Sequence, residues 1–187
     1  MRVLRLIWPP VLAAGLICCA KPSSRPDSVE AIYDHTNGKL VQLTVNAVKD
    51  GKPNVYSYMN GAMFLRIEID KDEDGKIDRW EYYGPDQKIE KVGMSRSNDG
   101  KPDSWAYKGP DGTVSKMEIS THHDGKVDRI ESYEKGALVR VEEDRDGDSR
   151  PDKWETYENG ALVTVAFDTT HTGVPDKTID YRQEANK

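Results

Sequence analysis

Cysteine is almost absent from this chain of 187 residues. Its two cysteines, Cys18 and Cys19, are adjacent and lie near the N-terminus. The rest of the chain therefore has no disulfide and no thiolate metal site. The chain also lacks an excess of positive charge, with 27 Lys and Arg against 33 Asp and Glu and a formal net charge of −6. Because a nucleic-acid-binding surface needs basic residues to neutralise phosphates, we expect no nucleic-acid partner.

The sequence also lacks the signatures of catalysis. It contains neither a glycine-rich phosphate-binding loop nor a nucleophile elbow. His35 and His171 have no nucleophile or carboxylate partner that can be recognised from the sequence. No segment has a convincing helical period. We therefore expect a protein that is not an enzyme.

The one long apolar stretch lies at the N-terminus. Arg2 and Arg5 precede an apolar segment over residues 6–17, which two prolines interrupt and which is too short to span a bilayer. This arrangement predicts an export signal over residues 1–18. Its removal takes two positive charges and leaves 25 basic against 33 acidic residues, or −8. Residues 19–28 are polar and contain two prolines, which predicts a tether, and residues 29–187 form the repeat domain.

The end of the signal contains a candidate lipidation site. Leu16 lies three residues before Cys19, and Cys18 stands directly before it. This run resembles the bacterial lipobox, although Cys18 replaces the usual glycine or alanine. The resemblance implies that Cys19 becomes the acylated first residue and anchors the protein to the outer membrane, facing the periplasm or the exterior. Ordinary cleavage near Ala20, with loss of both cysteines, is the alternative.

The remaining sequence repeats itself. A polar anchor residue stands two places before a strand-forming residue, and successive anchors are 24, 25, 25, 24 and 24 residues apart. Self-similarity at a fixed period of this size is typical of repeat architectures. The anchors are Asn54, Asp78, Asp103, Asp128, Asp152 and Asp176.

Each unit has the pattern of a β-hairpin. Residues 80–83 and 154–157 are rich in aromatic and β-branched residues, and tight-turn signals such as Asn159-Gly160 separate them from runs that alternate between apolar and polar residues. We predict an all-β fold, an antiparallel meander of about six hairpins. We expect the apolar positions on one side, covered by curling of a single sheet, by folding into two layers or by a partner. The pattern distantly resembles MORN repeats and Tyr-Asp repeats.

The loop that enters the third hairpin carries oxygen donors at regular places. They occupy places 1, 3, 5, 9 and 12 of a twelve-residue segment, with Gly75 at place 6 and a backbone carbonyl at place 7. This spacing resembles the EF-hand loop, in which such oxygens converge on one Ca²⁺. The predicted ligands are Asp70, Asp72, Asp74, Lys76, Asp78 and Glu81.

A second loop keeps every carboxylate but not the glycine. Ser149 stands at place 6, where a left-handed backbone costs about 1 kcal/mol, so we expect this loop to wind differently around Gly147. Its predicted ligands are Asp144, Asp146, Asp148, Arg150, Asp152 and Glu155. A third loop retains fewer carboxylates and supplies the weaker candidates Asp124, Asp128 and Glu131. The other loops are predicted to be folded turns.

The resemblance to EF-hands covers the loops alone. Strands rather than helices flank them, which leaves the direction of Glu81 and Glu155 open and argues against a calmodulin-like opening. Comparable loops outside helices occur in dockerins and thrombospondin type 3 repeats, where the aspartates bind calcium. The competing interpretation is that acidic, glycine-containing segments are simply good turns. We favour calcium because carboxylates crowded without a cation repel one another.

The aromatic residues have two interpretations. Trp80, Trp105 and Trp154 share one column with Tyr56 and Ile130, which predicts a repeated core layer. An open face would instead make this column a carbohydrate-stacking ladder.

The functional expectation combines these motifs. The adjacent His122 and His123 are interpreted as an exposed loop pair, because neighbours on an extended strand point to opposite sides. We expect an exported, lipid-anchored protein in which Ca²⁺ bound between hairpins stabilises a structural or adhesive surface. The alternative is a metal-independent scaffold that binds an envelope protein or a glycan.

Overall fold

The computed structural model describes residues 28–46 and 52–183. The predicted export signal over residues 1–18, the lipidation site at Cys19 and the tether up to residue 27 lie outside the described residues. No helix within the described ranges is both long enough and apolar enough to cross a membrane.

The predicted all-β meander is confirmed. A single antiparallel sheet of 13 strands contains every strand in sequence order, so the single-sheet alternative is correct and the two-layer alternative is not. The strands are β1 (Ser28–Tyr33), β2 (Leu40–Asn46), β3 (Val55–Asn60), β4 (Met63–Ile69), β5 (Arg79–Tyr83), β6 (Ile89–Met94), β7 (Ser104–Lys108), β8 (Val114–Ile119), β9 (Arg129–Glu134), β10 (Ala137–Glu143), β11 (Lys153–Glu158), β12 (Ala161–Phe167) and β13 (Lys177–Asp180), followed by a short 3₁₀ helix, Tyr181–Gln183.

The apolar residues lie on both faces of the sheet, so the expectation that they share one side is wrong. Glu68 of β4 lies directly opposite Trp80 of β5, whereas the preceding residue, Ile67, lies opposite Glu81. Neighbours along a strand point to opposite faces, so Trp80 and Ile67 are on different sides. A one-residue difference in register decides this assignment, and the alternation within each strand does not reveal the register.

Each face has its own cross-strand layer. The aromatic face carries the predicted column, in which Tyr56, Trp80, Trp105, Ile130 and Trp154 fall on one line of directly opposed residues across the sheet. The aliphatic face carries Ile67, Val92, Val141 and Val165 on a parallel line. Side-chain pairs across neighbouring strands thus stabilise the sheet on both sides.

Val141 is the most completely buried apolar residue of the described chain, with 1% of its surface exposed. It lies opposite Glu131 on one side and Glu155 on the other. Arg129 and Lys153 hold these two carboxylates at 2.8 Å each. The aliphatic stems of such long side chains cover apolar surface while their charged ends remain in contact with water.

Candidate metal-binding loops

The acidic connections between hairpins lie at one end of the strands, which we call the loop end. In an antiparallel meander successive connections alternate between the two ends of the strands, so the tight turns lie at the opposite end. The fully described loops are residues 70–78, 95–103, 120–128, 144–152 and 168–176. Since neighbouring loops are two strands apart, their spacing is roughly 9–10 Å.

An aspartate at place 9 closes every one of these loops. The carboxylate of Asp78 accepts hydrogen bonds from the backbone N–H groups of Lys71 at 2.7 Å and Asp72 at 3.3 Å. Equivalent backbone hydrogen bonds reach Asp103, Asp128, Asp152 and Asp176. This aspartate therefore stabilises the turn in acid-rich and acid-poor loops alike.

The backbone winds in the same way in all five loops. Places 4 and 6 have left-handed conformations, with φ of 66° at Glu73 and 90° at Gly75 in the first loop and 79° at Gly147 and 71° at Ser149 in the fourth. The expectation that Ser149 would make its loop wind differently is wrong. Its backbone N–H donates to Asp144 at 2.8 Å, just as Gly75 donates to Asp70 at 2.9 Å, and this hydrogen bond favours the strained conformation.

Two loops bring three carboxylates together. One oxygen from each of Asp70, Asp72 and Asp78 lies within 4.8 Å of the others, and Asp144, Asp146 and Asp152 form the equivalent group. We call these groups the first and second triads. They occupy places 1, 3 and 9 of the two loops that the sequence ranks highest. Carboxylate oxygens are the ligands that Ca²⁺ prefers, so each triad can supply part of a coordination shell.

The aspartates at place 5 lie outside the triads. Asp74 contacts the ammonium group of Lys76 at 3.3 Å, and Asp148 contacts the guanidinium group of Arg150 at 2.8 Å. Each carboxylate also accepts the backbone N–H of its basic partner at 2.8 Å. The basic residue at place 7, predicted to act through its carbonyl, thus also supplies a positive charge to the loop.

Glu81 and Glu155, at place 12, are held on the aliphatic face of the sheet. Glu81 accepts hydrogen bonds from Arg79 at 2.7 Å and from the Tyr83 hydroxyl at 2.8 Å. Glu155 contacts Lys153 and accepts the Tyr157 hydroxyl at 2.7 Å. Burial raises the pKa of Glu155, but hydrogen bonds from these two partners keep that pKa below its ordinary value. Neither glutamate is a member of a triad.

The weaker candidates do not form a triad within the described residues. Asp124 accepts the backbone N–H of Lys126 at 2.9 Å, which lowers the pKa of Asp124. Asp128 closes its loop and lies 2.7 Å from His122, and the hydrogen bond to this carboxylate raises the pKa of His122. Glu131 is held by Arg129 on the sheet face.

The side chains at place 4 of three loops contact the preceding loop, a feature that the sequence analysis missed. Asn98 donates from its amide to Asp72 of the preceding loop at 2.8 Å, and its backbone carbonyl accepts Lys76 at 3.0 Å. His123 and His171 likewise reach back to Asp103 and Asp146. The signal in the sequence is Asn98, His123 and His171 at place 4 of three loops, whereas the fourth loop has Gly147 there. The place-3 aspartate of each triad thus already has a protein partner.

The aromatic face contains a row in which cations and rings alternate. Directly opposed residues run from Tyr58 through Arg66, Tyr82, Lys91 and Tyr107 to Lys116. Arg66 lies 4.1 Å from the centre of the Tyr58 ring, and Lys116 lies 4.3 Å from that of Tyr107. Lys91 also lies 4.0 Å from the centre of the Trp105 ring, which covers Gly93. These ring faces are therefore occupied by neighbouring side chains.

Comparison with known proteins finds distant likenesses. No family model and no curated protein matches the chain. A mutant of S. aureus TarM in complex with Fondaparinux, alpha-GlcNAc-glycerol and UDP is similar at 15% identity over 49% of this chain, with a TM-score of 0.39. Accessory secretory protein 1, 2 and 3 in Streptococcus pneumoniae is similar at 20% identity over 63%, with a TM-score of 0.31. This chain spans 17% and 19% of the length of those chains.

Proposed function

We propose that this is an exported, lipid-anchored repeat protein that binds Ca²⁺ at the loop end of the strands, where the ion stabilises the sheet. The observation that carries the proposal is the convergence of three carboxylates at equivalent places of two loops. The loops with fewer acidic residues have the same backbone winding, so the turn itself does not require the extra aspartates. Three negative charges in such proximity favour a bound cation.

The proposed sites are incomplete, and we expect them to be weak. Asp70, Asp72 and Asp78 provide the core of the first site, and the backbone carbonyl of Lys76 remains a candidate ligand. Asp74 and Glu81 would have to leave their basic partners before they could join. Water therefore supplies part of the shell, and we expect dissociation constants of order 10⁻⁴ to 10⁻³ M, as in extracellular modules.

Calorimetric titration and melting test the proposal. We expect two sites in the exported chain and a gain of about 2.7 kcal/mol per site at one hundred times the dissociation constant. Asp72→Asn and Asp146→Asn should each remove one site, because each takes one charge from a triad. Asp99→Asn, at place 5 of a loop without a triad, is the matched control and should retain both sites. An unchanged melting midpoint in excess calcium would refute the proposal.

A metal-independent scaffold is the second candidate, and the contacts between loops favour it. Asn98 and His171 connect neighbouring loops through direct contacts with Asp72 and Asp146. This candidate predicts that binding of an envelope protein or a glycan survives chelation. A glycan could not stack on the ring face of Tyr58 that Arg66 covers or on the face of Tyr107 that Lys116 covers.

The membrane anchor is a separate part of the proposal and rests on the lipobox-like sequence. Incorporation of a labelled fatty acid into the exported chain, its loss in Cys19→Ser and its retention in Cys18→Ser would support acylation of Cys19. Labelling that Cys18→Ser alone abolishes would assign the anchor to the other cysteine. Absence of label in the wild-type chain would favour ordinary cleavage near Ala20.

A further inference from the structure

The two edge strands of the sheet differ in character. Within the described residues, β1 pairs only with β2 and β13 pairs only with β12. β1 is six residues long and exposes Val29 by 57%, Ile32 by 50% and Tyr33 by 54%. β13 has four residues, includes Lys177 and Asp180, and runs directly into the short 3₁₀ helix. Short and charged edges are the usual protection against strand pairing, and β1 is longer than β13 and carries one charged residue, Glu30, against two in β13.

We propose that β1 is a dimerisation edge, where a second copy of this chain adds its own β1 in antiparallel orientation about a two-fold axis. An edge strand presents unpaired backbone N–H and C=O groups, so its natural occupant is another extended strand. The preceding segment contains Pro22 and Pro26, which have no N–H to donate to such a pairing. A two-fold axis makes the same strand serve both copies.

Charge selects one register. A two-fold axis perpendicular to the sheet pairs one residue of β1 with its own copy, and three positions are available near the centre of the strand. An axis at Glu30 places two carboxylates opposite each other, and an axis at Ile32 places Glu30 opposite Asp34. An axis at Ala31 opposes Glu30 with Ile32 and Val29 with Tyr33, so no like charges meet. The structure therefore favours the Ala31 axis.

In this register, a negative and a positive substitution at position 32 should have opposite effects on the stability of the dimer. In sedimentation of the full exported chain in detergent with chelator present, Ile32→Glu should weaken the dimer roughly three- to tenfold, because it opposes Glu30 of the other copy. Ile32→Lys should preserve or strengthen the dimer for the same reason. Ile179→Glu, on the β13 edge, should leave it unchanged. Because chelator is present, the result does not depend on calcium binding.

Disulfide formation provides a second, position-specific measurement. Ala31→Cys should give a covalent dimer under mild oxidation, since directly opposed residues have Cα separations compatible with a disulfide. Thr178→Cys, at the centre of β13, should not, and the wild-type chain reports any dimer formed through Cys18 or Cys19. Equal weakening by Glu and Lys at position 32, or crosslinking by Thr178→Cys alone, would overturn the proposal. So would a monomer in which the β1 amides that point away from β2 resist hydrogen exchange, since the edge would then be covered within the chain.

Discussion

Tyrosine–glutamate pairs recur across the sheet and give acidic residues of the repeat a structural role. Tyr83 donates to Glu81 at 2.8 Å, and Tyr107 donates to Glu118 at 2.7 Å. Burial, and then the hydrogen bond to the glutamate, raises the pKa of Tyr83 and Tyr107 to about 12. Tyr133, which donates to Glu131, has its pKa raised to about 12 for the same reasons. A neutral phenol is thus the stable form beside each carboxylate.

Alkaline pH should therefore weaken the fold over a defined range. Because the folded pKa of these tyrosines lies above the unfolded value near 10, their stabilisation is complete below pH 10 and is lost as pH rises towards 12. Ultraviolet titration of tyrosinate should resolve these late-titrating groups, and Tyr133→Phe should remove one of them and reduce the loss of stability with pH. Tyr33→Phe, at a residue that is 54% exposed, is the control. Titration of all tyrosines near 10 in the folded protein would contradict this account.

At the scale of the strand pair, the register explains why position 93 is a glycine. Trp80 of β5 lies opposite Gly93 of β6, which in turn lies opposite Trp105 of β7. A Cβ added to Gly93 would lie 2.5 Å from the Trp105 ring. Gly93 therefore provides the space in which this ring covers the backbone, and the two tryptophan rings approach to 6.5 Å between their centres.

Gly93→Ala should destabilise the sheet by about 1–3 kcal/mol, because the indole ring has to move from its position against the backbone. Gly84→Ala is a matched control: the atoms nearest to its added Cβ belong to the side chain of Glu90, which is exposed and can rotate away. Urea denaturation measures both changes. In combination with Trp105→Leu, the cost of Gly93→Ala should decrease, as expected for residues in direct contact. Additive effects in this double-mutant cycle would argue against the proposed contact.

On the scale of the whole molecule, the sheet behaves as a one-dimensional array. Strands contact mainly those next to them in sequence, and every fully described repeat unit supplies the same loop winding. Stability in such an array is approximately the sum of unit and neighbour terms. The loss of one unit should therefore leave the packing of distant units intact.

Removal of one complete unit should leave a folded protein. Deletion of residues 120–143 takes away one loop with β9 and β10 and joins Ile119 to Asp144, which begins the next loop at the same place of the repeat. We expect an unchanged far-ultraviolet circular dichroism signal per residue and a lower melting midpoint. Deletion of residues 120–131 should disrupt the fold because it removes the loop and the first three residues of β9, so that Ile119 runs directly into the rest of β9 with no connection to reverse the chain. Collapse of the full-unit variant would show that distant strands cooperate.

The loops show how far the sequence could predict the candidate site. The sequence predicted that oxygens at places 1, 3, 5, 7, 9 and 12 converge, and the structure brings together the carboxylates at places 1, 3 and 9 of two loops. The surroundings of Asp74 and Glu81 could not be predicted, since they depend on which basic and aromatic groups the sheet places beside them. The contact from Asn98 to Asp72 depends on the spacing of neighbouring loops and is equally invisible in a single unit.

The amino-acid sequence alone determined the strand and turn pattern, the period of the repeat and the clustering of aspartates, because each of these follows from interactions within about 25 residues. Only the tertiary structure decided that Trp80 and Ile67 lie on opposite faces, that Glu81 belongs to the sheet and that one loop reaches the next. These features depend on cross-strand register. A shift of one residue reverses every side chain while leaving the local sequence preferences unchanged.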